Sequence, residues 1–154
     1  MCQGVPVKES EAMSLTAALL AAATALVDDI HNGVAARGYT DIRPTHGFVF
    51  TRLSLNGATV TELAEHLGFT RQAASQIVDE LVYKGYVERR PHPDDARARL
   101  VVLTDRGRRC TQAAESAAVD AVRPWEEILG RRQVLKLRDE LVRLAPPGPI
   151  RPTW

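Results

Sequence analysis

Gly68 stands between two short amphipathic stretches, and that arrangement constrains the fold of this chain more than any other feature of its sequence. Within residues 59–86, Leu63, Ala64 and Leu67 put a narrow apolar stripe on a short first helix. Ala74, Ile77, Val78, Leu81 and Val82 follow the i, i+3, i+4, i+7, i+8 spacing of a longer second one. A glycine at the junction accepts a left-handed turn that a side chain would resist. Phe69 can fill the space beneath the turn, Thr70 is a good N-cap for the second helix, and Ala64 is small where the two helices must approach. These features predict a helix-turn-helix, a unit whose second helix enters the DNA major groove.

At about 100° per residue, the face opposite the second apolar stripe carries Gln72, Ser75, Gln76, Asp79 and Tyr83, with Arg71 and Ala73 at its margins. A Gln amide can bond adenine bidentately, and Ser can donate or accept at several base edges. On a lone amphipathic helix the same face would be ordinary solvated surface. The turn before it and the segment after it favour a DNA-reading face.

Residues 87–103 supply that segment. Two β-prone runs, about 86–90 and 98–103, flank a tip rich in Pro and Asp, which predicts a hairpin with a loop longer than two residues. Its base and tip carry Arg89, Arg90, Arg97 and Arg99. A basic β-ribbon directly after a recognition helix is the wing of a winged helix. An arginine at its tip suits the narrow, electronegative minor groove.

The order Leu63-Ala64-x-x-Leu67-Gly68, Thr70-Arg71-Gln72-Ala73-Ala74-Ser75, Gly85-Tyr86-Val87-x-Arg89, Pro93-x-Asp95-x-Arg97 and Leu103-Thr104-x-x-Gly107 resembles the MarR family of bacterial transcriptional regulators. The motifs cover roughly residues 40–107, and beyond them the resemblance continues as architecture. It implies that Arg71, Gln72, Ala73, Ser75 and Gln76 face the major groove, and that Arg97 lies at the minor groove, oriented by Asp95. One departure is Ala73-Ala74, where the family often has Thr-Val, so a methyl contact at Ala73 survives but a hydroxyl bond does not.

At 154 residues and 45% apolar content, the chain can build one domain-sized core. A net charge of +1 does not describe a generic polyanion binder. The distribution is more telling: residues 1–50 carry −2, whereas residues 84–109 carry +4, on the expected wing and its exit. Upstream, a helix is expected over 11–36, with Leu15, Leu19, Leu26 and Ile30 among many alanines, ended by Gly38 and Asp41. Pro44 opens another through Leu55 that buries Phe48, Val49 and Leu53, and Asn56-Gly57 breaks the chain before the helix-turn-helix. Downstream, Thr104 caps a long helix to about Ile128, Gly130 interrupts, and a last helix with Val134, Leu137, Leu141, Val142 and Leu144 runs to Ala145. Pro146-Pro147-Gly148-Pro149 stops it.

The expected fold is therefore mainly α with a small β-hairpin wing, a winged helix-turn-helix plus a helical dimerisation region. Residues 1–40 form an N-terminal arm and dimerisation helix, 41–107 the DNA-binding lobe, 108–145 C-terminal dimerisation helices and 146–154 a mobile tail. Residues 1–10 read as a disordered lead, or an arm that orders on dimerisation. Helices at both ends lack a large partner within one chain of this size. A two-fold homodimer would cover them and set two recognition helices about one DNA turn apart.

No run of roughly 18 apolar residues is present, and the Ala-rich stretch 15–27 is preceded by Lys8, Glu9 and Glu11 rather than by a basic start. A cytoplasmic protein without membrane contact is expected. Cys2 and Cys110 lack ligand spacing, and His31, His46, His66 and His92 form no H-E-x-x-H. No catalytic residue, metal or cofactor is expected. His66 should cap, pack or face solvent, and His92 at the wing tip either meets a phosphate or is simply exposed.

MarR-like proteins commonly bind small phenolic or lipophilic molecules between the dimer helices and the DNA-binding lobe. The matching region here would be lined by Tyr39, Arg43, His46, Phe48 and Trp125, an aromatic wall with one cation that suits an aromatic acid. The alternative is that these residues are ordinary core and interface. Some family members sense oxidants through a cysteine. Arg108 and Arg109 would lower the Cys110 pKa if that thiol is exposed, whereas a place on a dimerisation helix would make it a buried small hydrophobe. The expected function is a homodimeric repressor that binds a palindromic operator in double-stranded DNA and is released by a small aromatic or lipophilic effector or an oxidant. Phosphate contacts would come from Arg71, Arg89, Arg90 and the helix starts near Thr59, Thr61 and Thr70. The alternative is a winged-helix interaction module that has lost DNA binding, which near-neutral charge and Asp79 on the outward face would favour.

Overall fold

The computed structural model describes residues 8–95 and 97–145. The expectations for Cys2, for the lead before Lys8, for the proline stop and for the tail lie outside the described residues. The elements in order are α1 (Glu9–Ala36), α2 (Pro44–Asn56), α3 (Val60–Leu67), α4 (Arg71–Tyr83), β1 (Val87–Pro91), β2 (Arg99–Leu103), α5 (Asp105–Leu129) and α6 (Arg131–Leu144). The mainly helical fold with one hairpin is the one expected.

Local chemistry sets the boundaries around α3 and α4. Thr59 caps α3 through Oγ1, which accepts from the Glu62 N–H at 3.2 Å, while the Glu62 carboxylate accepts from the Thr59 N–H at 2.7 Å. Gly68 takes φ 69°, ψ 28°, and the next N–H, of Phe69, closes on the Ala64 carbonyl at 2.9 Å. Thr70 Oγ1 then accepts from the Ala73 N–H at 3.1 Å and starts α4.

The hairpin pairs antiparallel, from Val87 opposite Leu103 to Pro91 opposite Arg99. Ala58 adds a one-residue bridge to Val101, with N–H···O distances of 3.1 and 2.8 Å in the two directions. Gly57 before it has φ 76°, and a Cβ there would meet the Val101 carbonyl oxygen at 2.8 Å. Asn56-Gly57 is thus a docking point on the wing as well as a break between helices.

One core runs through α1, α2, α3, α4, the wing and α5, from Val34 through Phe50, Leu63, Leu81, Tyr86 and Val101 to Cys110 and Ala117. Three side chains depart from the expected inside–outside pattern. Phe48 is only half-buried, and Phe50 takes the buried aromatic place on α2. Val82 is exposed, one residue before the end of α4.

α1 meets α5 through its C-terminal half, where a Cβ on Gly33 would come within 2.6 Å of the Ala117 Cβ and where Arg37 pairs with Asp120 at 2.6 Å. Among the described residues, Met13, Leu15, Leu19 and Leu20 of its N-terminal half are exposed, and α6 has no buried residue. One sequence expectation needs correcting here. With mean hydropathy 1.5 over 18 residues, α1 is long and apolar enough to cross a membrane by length and composition, because alanines make it apolar without a run of large side chains.

Candidate nucleic-acid interface

On the outward face of α4, Arg71, Gln72 and Gln76 are exposed and Ala73 and Ser75 are half-buried. The face stands on Ala74, Val78 and Leu81, all buried, which seat α4 on the core. Asp79 lies one turn further along the same side. It does not stand alone: Arg89 from β1 donates to its carboxylate at 2.7 Å. The charge that would repel phosphate is compensated, and Arg89, expected at a phosphate, is engaged in this pair. Arg90 is similarly bonded to Glu88 at 2.7 Å, and Arg99 is exposed.

At the wing tip, Asp95 accepts from the backbone N–H of Arg97 at 2.9 Å. The acid therefore shapes the turn that carries Arg97, and the exposed arginine projects from it. His92 Nδ1 accepts from the Asp94 N–H at 3.1 Å, so one ring nitrogen serves the loop. Among the three threonines, the Thr59 hydroxyl donates to Glu62 at 2.9 Å in addition to capping α3. It is consumed by the cap, whereas Thr61 is exposed and Thr70 caps α4 from an exposed position.

Behind α4 lies a polar cluster that no sequence spacing announced. His46 is fully buried, in the first turn of α2, and its Nδ1 accepts from the Arg43 N–H at 3.1 Å. Burial pushes the imidazole down to about 4, so it is neutral, and with Nδ1 accepting, the proton sits on Nε2. That N–H faces Glu80 Oε2 at 3.5 Å, and the 3.2 Å approach of Arg43 Nη2 to Nε2 brings together two donors that share the Glu80 oxygen. Arg43 is paired with the same Oε2. Lys84 donates to Oε1 at 2.6 Å and to the Asp41 carbonyl at 2.6 Å. The Lys84 bond is the main reason the Glu80 carboxyl is held below its ordinary value. Next to it, the buried Tyr86 hydroxyl donates to Asp41 Oδ1 at 2.6 Å and accepts from Arg106 at 3.0 Å. Burial, then the bond to Asp41, push the Tyr86 phenol up to about 12.

A cleft of about 420 Å³ opens between α1, α2 and α5, walled by Val27, Ile30, Val34, Phe48, Phe50 and Ala114, with Arg43 at one end. Of the five residues expected to line an effector site, Arg43 and Phe48 border this cleft, and Tyr39, His46 and Trp125 are not among its lining residues. Tyr39 stacks obliquely on Tyr86, ring centroids 6.3 Å apart, His46 turns inward to Glu80, and Trp125 lies near the far end of α5, apart from the cleft lining. Helical spacing assigns a residue to a face but not to the neighbour that face meets. Cys110 lines the base of the cleft yet is 1% exposed, and burial pushes its thiol up to about 11. It offers no thiolate at neutral pH.

A helix-turn-helix with a basic wing, set on a helical frame, defines the winged-helix class of DNA-binding proteins. Residues 40–98 match the MarR family. The Mycobacterium tuberculosis protein named Uncharacterized protein Rv2011c is 33% identical over 112 residues, which cover 72% of this chain and 76% of that one. Among solved structures, the transcriptional repressor CouR bound to a 23-mer DNA duplex is 28% identical, covers 92% of this chain and 100% of its own, and superposes with TM-score 0.72. Rv1404 from Mycobacterium tuberculosis is 25% identical over 92% of this chain and 99% of its own, with TM-score 0.73. The chain belongs to the MarR family of winged helix-turn-helix transcriptional regulators, a family of DNA-binding proteins rather than of enzymes.

Proposed function

We propose that this regulator is a homodimeric repressor that binds a palindromic operator and is released when a small aromatic or lipophilic molecule occupies the cleft between α1, α2 and α5. The observation that carries the DNA reading is the exposed Arg71, Gln72 and Gln76 edge of α4 beside a wing that presents Arg97. Gln72, Ser75 and Gln76 read base edges, Arg97 enters the minor groove, and Arg71, Arg90, Arg99 and the backbone at Thr61 and Thr70 meet phosphates. The CouR complex with DNA supports this placement by similarity. A protein with this role works beside the chromosome, in the cytoplasm. Effector release follows from population: the ligand must favour the spacing of recognition helices that does not fit the operator.

The test is a fluorescence-anisotropy titration of the full chain against its own upstream intergenic DNA, at two salt concentrations, with a scrambled duplex alongside. Selective binding that weakens steeply with salt is expected. Gln76→Ala should cost about 1–3 kcal/mol at a single operator position and relax base preference there. Equal affinity for the scrambled duplex, together with no enriched sequence in a genome-wide selection, would overturn the reading in favour of an interaction module.

A further inference from the structure

The cleft and the recognition helix share one side chain. Arg43 is among the residues that line the cleft, and its half-exposed guanidinium, paired with Glu80 on α4, stands beside it. The arginine side chain is 59% exposed, so it is tied to Glu80 without being packed in place. Glu80 does not depend on it alone: Lys84 holds Oε1 at 2.6 Å, and His46 Nε2 lies 3.5 Å from Oε2. Removing Arg43 from Glu80 therefore leaves the carboxylate partnered but deletes the ionic tie between the start of α2 and α4. Among the described residues that line the cleft, Arg43 is the one lysine or arginine, and Glu115 is the other residue charged at neutral pH.

We propose that Arg43 couples the cleft to the recognition helix: a carboxylate bound in the cleft competes with Glu80 for its guanidinium, and by taking it frees α4 to shift against α2. This rests on the reading above of the cleft as the effector site and α4 as the DNA-reading helix. One carboxylate replaces another on a bidentate donor, so the exchange is close to balanced and a modest ligand affinity suffices to drive it. Linkage makes the effect reciprocal. A ligand carboxylate weakens DNA binding by the same factor as DNA weakens the ligand.

The probes are 2-naphthoate and its neutral analogue 2-naphthamide, titrated calorimetrically into full-length protein without DNA, and then into the operator complex. Wild type should bind the carboxylate more tightly than the amide, and Arg43→Gln should abolish that preference. Glu80→Gln removes the competing charge at constant size. It should tighten naphthoate about two- to fivefold, the range of a partly exposed ion pair, leave naphthamide unchanged and blunt the loss of DNA affinity that naphthoate causes. Should Arg43→Gln not fold, the Glu80→Gln result decides alone. No carboxylate preference in wild type, binding of neither probe, or unchanged naphthoate affinity in Glu80→Gln would overturn the coupling. Because the ligand arm contains no DNA, failure of operator recognition would sink the regulator reading without obscuring this one. Selective operator binding with a failed ligand arm would sink only the coupling.

Discussion

His46 shows what a single buried side chain does to this molecule. Its ring serves α2 as a reverse cap, accepting from the Arg43 N–H, while its other nitrogen points at Glu80. A neutral imidazole fits that slot and an imidazolium does not, since Nδ1 would then aim a proton at the Arg43 N–H. Burial accordingly holds the folded value at about 4, below the ordinary 6.5. Between those values the unfolded chain binds more protons than the folded one. Stability is therefore fully present above about pH 6.5 and drains as pH falls toward 4. The loss from pH 7 to 5 is about 2 kcal/mol, at 1.36 kcal/mol per unit across the linked window. His46→Gln supplies an acceptor for the Arg43 N–H and a donor for Glu80 without a titrating group. Urea denaturation of both proteins at pH 7 and pH 5 should show the pH loss in wild type and most of it gone in the variant. An equal loss in both would assign the acid sensitivity elsewhere.

At the scale of the element, the junction between the wing and α5 is built on close backbone approach. The Thr104 N–H donates to the Tyr86 carbonyl at 3.0 Å, its hydroxyl donates to the Gly85 carbonyl at 2.7 Å, and Gly107 lies against the same strand entry. A Cβ on Gly107 would sit 2.2 Å from the Tyr86 carbonyl oxygen, a backbone atom that cannot swing aside. Gly107→Ala, a favourable change in an open helix, should here cost about 1–3 kcal/mol by overpacking. Thermal melts of the two proteins decide it, and an unchanged or raised Tm would mean that α5 has room to shift. The Leu103-Thr104-x-x-Gly107 motif was visible in the sequence, but the carbonyl that forbids a side chain at Gly107 was not. The same division runs through the fold. Thr59, Gly68, Thr70 and Thr104 act on backbone within a few residues, so the helix-turn-helix, its turn and the start of α5 were readable locally. Arg43 with Glu80, 37 residues apart, and Asp41 with Arg106, 65 apart, meet only once the chain is packed. Spacing alone likewise does not say which neighbours Tyr39, His46 and Trp125 meet, nor that Asp79 finds its partner Arg89 on another element.

On the scale of the whole molecule, the uncovered surface is the outstanding fact. The N-terminal half of α1 and the apolar stripe of α6 leave Met13, Leu19, Leu20, Leu135 and Leu141 exposed, at the two ends of the chain. The hydropathy of α1 admits a membrane as the cover, but its geometry favours a second copy. Val34 belongs to the core, Gly33 is wedged against Ala117, and Arg37 is paired with Asp120, so α1 could not enter a bilayer without tearing its C-terminal half from α5. A two-fold partner would cover α1 and α6 together, and the proposed homodimer would set its two recognition helices about 34 Å apart. We therefore expect sedimentation velocity to give a dimer at micromolar concentration, and wild type not to float with phosphatidylglycerol-containing vesicles. Leu19→Glu combined with Leu20→Glu should yield a folded monomer, since both side chains are exposed on α1 among the described residues. That monomer grips one half-site instead of two, so operator affinity should fall about 10²-fold while the circular dichroism stays helical. A doubly substituted protein that remains dimeric would move the interface off α1, and flotation of wild type would give this helix to the membrane instead.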